Sequence, residues 1–532
     1  MKNVLYSVIV CLCLVTPLKA QTESKFEDKL EKGEGWWGGV VVDGPLMPFG
    51  KFAYQHDLYG NVKENQGSPL LISSSGRYVW CDEPFSYEFI NDSLRAASAS
   101  GEIKFGDAGR SLRDAYLHVS KSFFPPQGEI PDELLFTAPQ YNTWIELTYN
   151  QNENDILNYA RAIIDNGFPP GVIMIDDNWQ EDYGHWDFKA EKFADPKGMV
   201  KKLHDLGFKV MLWVCPFVSP DSPNYRFLET KSAFLMEDDE SKRPAIIRWW
   251  NGASALLDLS NPFAEEWFTD QLKLLVENYG IDGFKFDAGD PNFYTGEIIA
   301  HKKITPNEHC ELFAKLGLEF PLNEYRACWK MGGQPLAQRL RDKRHNWEDL
   351  KLLIPGIISQ GLMGYQFSCP DMIGGGEYGS FINLKSVDEE LIVRSAQCSA
   401  LMPMMQFSVA PWRILSKENM SICKKMALLH ASMGDEILKM AKESALSGEP
   451  LVRNMEYVFP HNGYSEVKDQ FMLSDDILAA PVLEKGQYSR EVIFPPGKWK
   501  GDDGSVVEGP AKVKVNVPVE RLPWYRRVRS ED

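Results

Sequence analysis

Residues 281–290 read Ile-Asp-Gly-Phe-Lys-Phe-Asp-Ala-Gly-Asp, a short apolar run that ends in charged residues. Such a run between glycines is typical of a buried strand. Side chains alternate across a strand, so Lys285 and Asp287 share one face and Phe284 and Phe286 the other. An unpaired buried Lys or Asp would cost several kcal/mol. The stretch therefore predicts a strand whose polar face opens onto a site, although a purely structural Lys–Asp pair also fits.

Similar apolar runs recur on both sides of this stretch and alternate with amphipathic helical patterns. Eight such alternations over about 320 residues predict a (β/α)₈ barrel, with a doubly wound sheet as the competing fold. The predicted strands are Trp144–Thr148, Gly171–Ile175, Lys209–Trp213, Gly283–Phe286, Leu322–Tyr325, Tyr365–Ser368, Met404–Phe407 and Leu451–Asn454. The predicted helices include Asp155–Asn166, Met199–Leu206, Pro262–Asn278, Trp347–Gln360 and Ser386–Leu401.

Both flanks of the barrel region have the alternating pattern of short strands. Runs such as Arg77–Cys81 and Phe85–Phe89 are separated by turn residues, and no helix is predicted before about residue 150. Alternation returns after residue 460, for example at Arg490–Phe494. We therefore predict an N-terminal β-sandwich, a barrel and a small C-terminal β-sandwich. The predicted boundaries are 21–135 for the N-terminal β-sandwich, 136–460 for the barrel and 461–532 for the C-terminal β-sandwich. Residues 1–20 are predicted to be a separate leader.

The first twenty residues resemble an export signal. Lys2 precedes an apolar run, Val4–Val15, and Ala20 is a small residue suited to cleavage. A buried first helix is the alternative. No later run reaches the ~20 apolar residues that a membrane span needs. The expected product is an exported protein, with the bacterial periplasm as the expected compartment.

Composition excludes several classes of protein. The 532 residues carry a net charge of −18, which argues against nucleic acid as a partner. The nine cysteines form no C-x-x-C pair, and the nine histidines show no ligand spacing, so neither a metal nor a cofactor is predicted. Aromatic residues make up 12%, including 15 tryptophans, as is common where sugar rings are stacked. Large cores also collect tryptophan.

Carboxylates follow three of the predicted strands. Asp176 and Asp177 follow the second, Asp287 and Asp290 the fourth, and Asp371 the sixth. The carboxyl ends of barrel strands form one rim, where the chemistry of this fold is found. An aspartate after a strand is also often a helix N-cap. Because no nucleophile elbow or phosphate loop is present, paired carboxylates at one rim favour glycoside hydrolysis.

Two motifs carry a resemblance to a known family. Gly-Phe-Lys-Phe-Asp-Ala-Gly-Asp at 283–290 and Pro-Asp-Met-Ile-Gly-Gly at 370–375 resemble glycoside hydrolase family 31. The sequence around these motifs is most similar to the branch that contains bacterial α-galactosidases and the myogenesis-regulating glycosidase. Further matching stretches are 36–39, 175–179, 186–188, 448–453 and 471–481. One departure is Asp290, where that branch usually has Glu.

The resemblance implies a retaining mechanism through a covalent glycosyl-enzyme. It places the nucleophile at Asp287 and the general acid and base at Asp371, with carboxyl groups ~5–5.5 Å apart. The substrate-binding residues it suggests are Asp176, Asp177, Trp213, Trp249, Lys285 and Arg326. The expected partner is an oligosaccharide or another α-glycoside.

The activity expected from the resemblance is that of an α-galactosidase. An α-glucosidase, an α-xylosidase or a sulfoquinovosidase of the same family is the alternative, because the sequence does not show which groups meet the C4 hydroxyl. Outside enzymes, the alternative is a glycan-binding protein on an inactive hydrolase scaffold.

Overall fold

A computed structural model describes residues 23–238, 240, 243–296, 298–382 and 384–529. The predicted export signal lies outside these ranges. Within them, no helix is both long and apolar enough to cross a membrane.

A parallel eight-stranded barrel forms the centre of the molecule. The first seven strands pair with their neighbours in chain order, and the first also pairs with the eighth. A further parallel bridge joins Met372, after the seventh strand, to Gln406 in the eighth. This nearly closed order confirms the (β/α)₈ barrel and rules out the doubly wound sheet. The barrel strands are Gln140–Asn142, Val172–Ile175, Lys209–Val214, Gly283–Phe286, Leu322–Tyr325, Gln338–Arg339, Ser368–Cys369 and Gln406–Phe407.

Two predicted barrel strands were wrong. Trp144–Leu147 is a helical turn, begun where the Asn142 side chain accepts a hydrogen bond from the Trp144 amide, and the first strand lies just before it. Val452–Arg453 is a strand, but it belongs to the C-terminal sheet. The sixth strand, Gln338–Arg339, was not predicted. Asp371 therefore follows the seventh strand of the barrel and not the sixth.

Helices surround the barrel with their apolar faces on the strands. The longest of the predicted helices spans Pro262–Tyr279 in the structure. Asn261 caps its N-terminus, and Gly280, in the left-handed conformation, ends it. The helix predicted over 347–360 is two helices joined at Leu352. The helices of the barrel region are Leu134–Thr137, Trp144–Leu147, Glu153–Asp165, Pro196–Asp205, Tyr225–Thr230, Pro262–Tyr279, Pro306–Leu316, Trp347–Lys351, Leu353–Leu362, Gly379–Ile382, Glu389–Ser399, Pro411–Ile414, Lys417–Ser447 and Met455–Val458, with 3₁₀ turns at Pro291–Tyr294 and Gly317–Glu319.

Two β-sheets lie N-terminal to the barrel. The first is antiparallel, with strands Ser24–Lys29, Ser93–Ser98, Ser86–Ile90 and Tyr54–Asp57 in spatial order. The second contains Trp36–Val40, Gln66–Ser73, Arg77–Trp80 and Lys104–Asp107, and also Cys328–Trp329 from the barrel region. A 3₁₀ turn spans Val41–Leu46.

A helix, Leu112–Phe123, corrects the expectation that none precedes residue 150. It buries Leu112, Tyr116 and Val119 on one side, and the Ser111 side chain accepts from the Asp114 amide at its start.

The C-terminal sheet is antiparallel and has six strands. They are Val452–Arg453, Phe471–Leu473, Ile477–Ala479, Trp524–Val528, Ser489–Gly501 and Val506–Asn516 in spatial order. Its own apolar core includes Met455, Phe494, Trp499 and Tyr525. A hairpin and a three-stranded antiparallel sheet are inserted among the barrel elements. The hairpin strands are Gln180–Asp182 and His185–Phe188, and the sheet strands in spatial order are Phe217–Val218, Gly252–Leu256 and Ile246–Trp249.

Candidate active site

A cavity of about 530 Å³ opens at the carboxyl ends of the barrel strands. Six of the eight predicted site residues line it, namely Asp176, Asp177, Trp213, Lys285, Asp287 and Arg326. Trp249 and Asp371 are not among its lining residues. The remaining lining residues of the cavity were not predicted from the sequence. They are Trp144, Tyr149, Trp250, Asp342, Glu377, Tyr378 and Gly379. A larger hollow of about 830 Å³ lies over the four-stranded N-terminal sheet, and all its lining residues belong to that sheet.

Asp287 is held among cations at the end of the fourth strand. Trp213 Nε1 donates to its Oδ2 at 2.8 Å, and Arg326 Nε and Arg339 Nη2 each lie 3.9 Å from its Oδ1. Burial would raise the pKa of Asp287, but Lys285, Arg326 and Arg339 outweigh it and lower the pKa to about 2. The carboxyl group is therefore ionised at neutral pH, as a nucleophile must be.

Lys285 and Asp176 form a buried ion pair in the floor of the cavity. Lys285 Nζ lies 2.6 Å from Asp176 Oδ2, and each side chain is only 3% exposed. Strand alternation correctly predicted that Lys285 and Asp287 share a face. The closest carboxylate to Lys285 is nevertheless Asp176 on the second strand, two strands away in the barrel.

Replacing Lys285 with methionine is expected to lower the free energy of unfolding by about 3 kcal/mol, because Asp176 would remain buried without its cation. Adding Asp176→Leu should restore most of that stability without restoring activity. The matched control is Lys201→Met, which removes an exposed pair with Asp205 at 2.7 Å and should cost less than about 0.5 kcal/mol. Urea denaturation measures all three, and a Lys285→Met loss as small as that of the control would contradict the prediction.

Asp177 lies beside this pair in a dense set of hydrogen bonds. It accepts from Gln180 Nε2 and Tyr183 OH at 3.1 Å, from the Asn178 amide at 2.7 Å and from Asn251 Nδ2. Burial raises its pKa to about 7 despite these donors. Asp177 is thus a wall residue that can carry a proton near neutral pH.

The two neighbouring tryptophans have different positions. Trp249 packs parallel to Trp213 with ring centroids 6.5 Å apart, and its Nε1 donates to Ser254 Oγ. It therefore supports the wall from behind, which corrects its prediction as a wall residue. Trp250 is 46% exposed, lines the cavity and lies over the Arg326 guanidinium, 5.0 Å from ring centroid to Cζ.

Asp371 is buried behind the wall of the cavity. Its side chain is fully buried and accepts from Arg339 Nη1 at 3.1 Å and from the Lys343 amide at 3.0 Å. Burial raises the pKa of Asp371, although Lys343 and Arg339 oppose the shift. Its backbone has a φ of 75°, which is uncommon for a residue other than glycine. The carboxyl group thus contacts donors of the protein and is not part of the cavity lining.

Asp342, three residues after the sixth strand, presents a second carboxyl group to the cavity. Its side chain is 31% exposed, and its Oδ2 lies 3.8 Å from Arg326 Nη1. Arg339 Nη1 contacts both Asp342 and Asp371. One guanidinium therefore separates an accessible carboxyl group from a buried one. The only sequence signal for Asp342 was the 39-residue gap between the fifth strand and the next predicted one, which is long enough for a further strand.

Asp290 is the residue at which the sequence departs from the branch that it resembles. It is completely buried, with Arg326 Nε 3.3 Å from its Oδ2. Burial raises its pKa to about 6 although Arg326 lowers it. Asp290 thus contacts the same arginine that approaches Asp287. No group of three or more His, Cys, Asp or Glu side chains in the described ranges is arranged to hold a metal ion.

Comparison with known proteins identifies two matching domains. Residues 138–327 match the glycosyl hydrolases family 31 TIM-barrel domain, and residues 448–530 match the glycosyl hydrolase family 31 C-terminal domain. The mouse myogenesis-regulating glycosidase is 30% identical over 423 residues, which cover 77% of this chain and 59% of that protein. The α-xylosidase XylQ of Lactiplantibacillus pentosus is 24% identical over 85% of this chain and 61% of its own.

Solved structures share the fold. A Flavobacterium johnsoniae family 31 dextranase complexed with glucose superimposes with a TM-score of 0.84 at 20% identity, over 95% of this chain and 66% of that one. The chain thus spans about three fifths to two thirds of these relatives. Asp342 and Asp371 both lie outside the two matched domains, between residues 327 and 448.

Proposed function

Since the chain belongs to glycoside hydrolase family 31, we propose that it is a retaining α-glycosidase with Asp287 as nucleophile and Asp342 as general acid and base. The observation that carries the proposal is the placement of these two carboxyl groups on one cavity. Arg326 lies between them, with Nε 3.9 Å from Asp287 and Nη1 3.8 Å from Asp342. A carboxylate pair around one sugar is the machinery of glycoside hydrolysis.

In the first step, Asp287 attacks the anomeric carbon while the bond to the leaving oxygen breaks. Asp342 donates its proton to that oxygen, so the leaving group departs as an alcohol. The product is a covalent glycosyl ester on Asp287. In the second step, water attacks the same carbon, Asp342 accepts a proton from it, and the ester bond breaks. Two inversions leave the α configuration unchanged.

Asp342 fits the proton-transfer role better than Asp371, to which the resemblance had assigned it. A general acid must come within hydrogen-bond distance of the leaving oxygen. Asp342 lines the cavity, whereas the Asp371 side chain is fully buried against Arg339 and the Lys343 amide. We assign Asp371 the role of holding Arg339 in place.

The charges on the cavity wall favour a neutral sugar. The two cations that line it, Lys285 and Arg326, each contact carboxylates of the protein. Neither is left to bind a sulfonate, which argues against a sulfoquinovoside. The hydroxyls of a neutral pyranose can instead bind the Asp176–Lys285 pair and Asp177. Of the neutral sugars, we propose α-galactose, because the 283–290 motif resembles the α-galactosidase branch. The expected compartment remains the periplasm.

The decisive experiment is hydrolysis of a panel of aryl glycosides by the purified protein. The panel contains the α-galactoside, α-glucoside, α-xyloside and α-sulfoquinovoside, with the β-galactoside as stereochemical control. We expect cleavage of the α-galactoside, with α-galactose as the first product in proton NMR. A β-anomer as first product would contradict retention. Glycan binding by calorimetry without any hydrolysis would favour the inactive scaffold.

A further inference from the structure

Three aromatic rings meet at the mouth of the cavity. Trp144 lies 5.3 Å from Tyr149 and 5.5 Å from Tyr378, and the two tyrosines lie 5.5 Å apart, all measured between ring centroids. All three are half-buried and line the cavity. Trp144 and Tyr149 follow the first barrel strand, and Tyr378 lies in the loop after the seventh. We call this group the aromatic wall.

The aromatic wall adjoins the proposed proton donor. Trp144 Nε1 donates to the Gly376 carbonyl at 3.1 Å, which fixes the loop that carries Tyr378. Gly376 in turn lies against both Asp342 and Asp371, since a Cβ on this glycine would be 3.2 Å from Asp342 Oδ1 and 3.1 Å from Asp371 Oδ1. Of these two carboxyl groups, Asp342 is the one that lines the cavity. A proton donor must touch the leaving oxygen, so the group beyond that oxygen would lie beside the aromatic wall.

The wall differs in chemistry from the floor of the cavity. Asp176, Lys285 and Asp287 make the floor ionic, as suits hydroxyl binding and nucleophilic attack. In contrast, the wall offers ring faces and edges. Its neighbouring carboxylate, Glu377, accepts hydrogen bonds from Ser380 Oγ at 2.6 Å and from the Gly379 amide at 3.2 Å. Half-buried rings of this kind bind flat apolar surfaces.

We propose that the aromatic wall of Trp144, Tyr149 and Tyr378 is the leaving-group subsite, and that it selects an uncharged leaving group with a flat ring. A second sugar and an aryl aglycone both present such a face. The inference rests on the proposed function, because it needs Asp342 to act on a leaving oxygen.

The test compares substrates with and without a ring in the leaving group. An α-glycosyl fluoride releases only fluoride, whereas a disaccharide and an aryl glycoside of the same sugar release a ring. Tyr378→Ala should lower kcat/KM for at least one of the two ringed substrates about tenfold and change that for the fluoride less than about twofold. Tyr378→Phe keeps the ring, so its loss on the ringed substrates should be smaller than that of Tyr378→Ala.

Tyr488→Ala is the matched control, since this tyrosine is 59% exposed in the C-terminal domain. Thermal unfolding of each variant checks that the fold is intact. A loss confined to the disaccharide identifies a second sugar as the leaving group, and a loss confined to the aryl glycoside identifies an aryl aglycone. Equal losses on the fluoride and both ringed substrates, or no loss on any, would overturn the inference. If the wild type cleaves no α-glycoside or α-fluoride, the proposed function fails instead.

Discussion

Replacing Asp287 with alanine is expected to lower turnover of every α-glycoside by more than about 10⁴-fold, as loss of a catalytic nucleophile does in other enzymes. The physical reason is that no other described carboxylate is held in the same way by Trp213, Arg326 and Arg339. Without it no glycosyl-enzyme can form. The measurement is steady-state hydrolysis of an aryl α-glycoside and of the corresponding α-fluoride.

Azide provides a positive signal for the same variant. A small anion can enter the space left by the Asp287 carboxylate and attack an α-glycosyl fluoride, and this single displacement gives a β-glycosyl azide. Asp205→Ala removes an exposed carboxylate and should keep wild-type turnover without forming an azide product. Substantial activity in Asp287→Ala, or an α-azide as its product, would assign the nucleophile elsewhere.

Some of the site residues were predicted correctly because side chains alternate along a strand, a rule that requires no tertiary information. Alternation along Gly283–Phe286 fixes the face on which Lys285 and Asp287 lie, whichever strands come to pair with it. The apolar run before Asp176 is equally clear, so the sequence placed this residue at a strand end. Buried apolar strands can thus be predicted from local sequence, and so can the polar residues that directly follow them.

The sixth barrel strand was missed because pairing, and not local pattern, defines it. Gln338–Arg339 has two polar residues and becomes a strand only by pairing with Tyr325 on one side and Ser368 and Cys369 on the other. Without a predicted strand before it, Asp342 could not be assigned to the rim of the barrel. The motif at 370–375 then led to Asp371, whose burial no sequence pattern reveals.

Adjacent tryptophans pose a similar problem. Trp249 and Trp250 are the same residue type at consecutive positions, so composition cannot distinguish them. The hairpin formed by Ile246–Trp249 and Gly252–Leu256 packs Trp249 against Phe217 and Trp213 and leaves Trp250 over Arg326. Which of the two tryptophans lines the cavity therefore depends on contacts between distant segments of the chain.

The second large effect is expected at Asp342. Asp342→Ala should slow cleavage of leaving groups that need a proton by about 10²–10⁴-fold, the usual value of general acid catalysis. An activated aryl leaving group needs little protonation, so its first step should survive. The second step then lacks its base, and the glycosyl-enzyme should accumulate as a burst. Azide should accelerate turnover and give an α-glycosyl azide, because two inversions occur.

Asp371→Ala separates the two candidates for this role. Removing this fully buried carboxylate takes away one ion-pair partner of Arg339 and the acceptor of the Lys343 amide, which should lower the free energy of unfolding by about 3 kcal/mol. Activity should fall on all substrates alike, including the fluoride, because a displaced Arg339 disturbs both Asp287 and Asp342. Azide should have no effect. Azide rescue with an α-azide product in Asp371→Ala, and not in Asp342→Ala, would return the proton-transfer role to Asp371, which would then have to reach the cavity by a movement of Arg339.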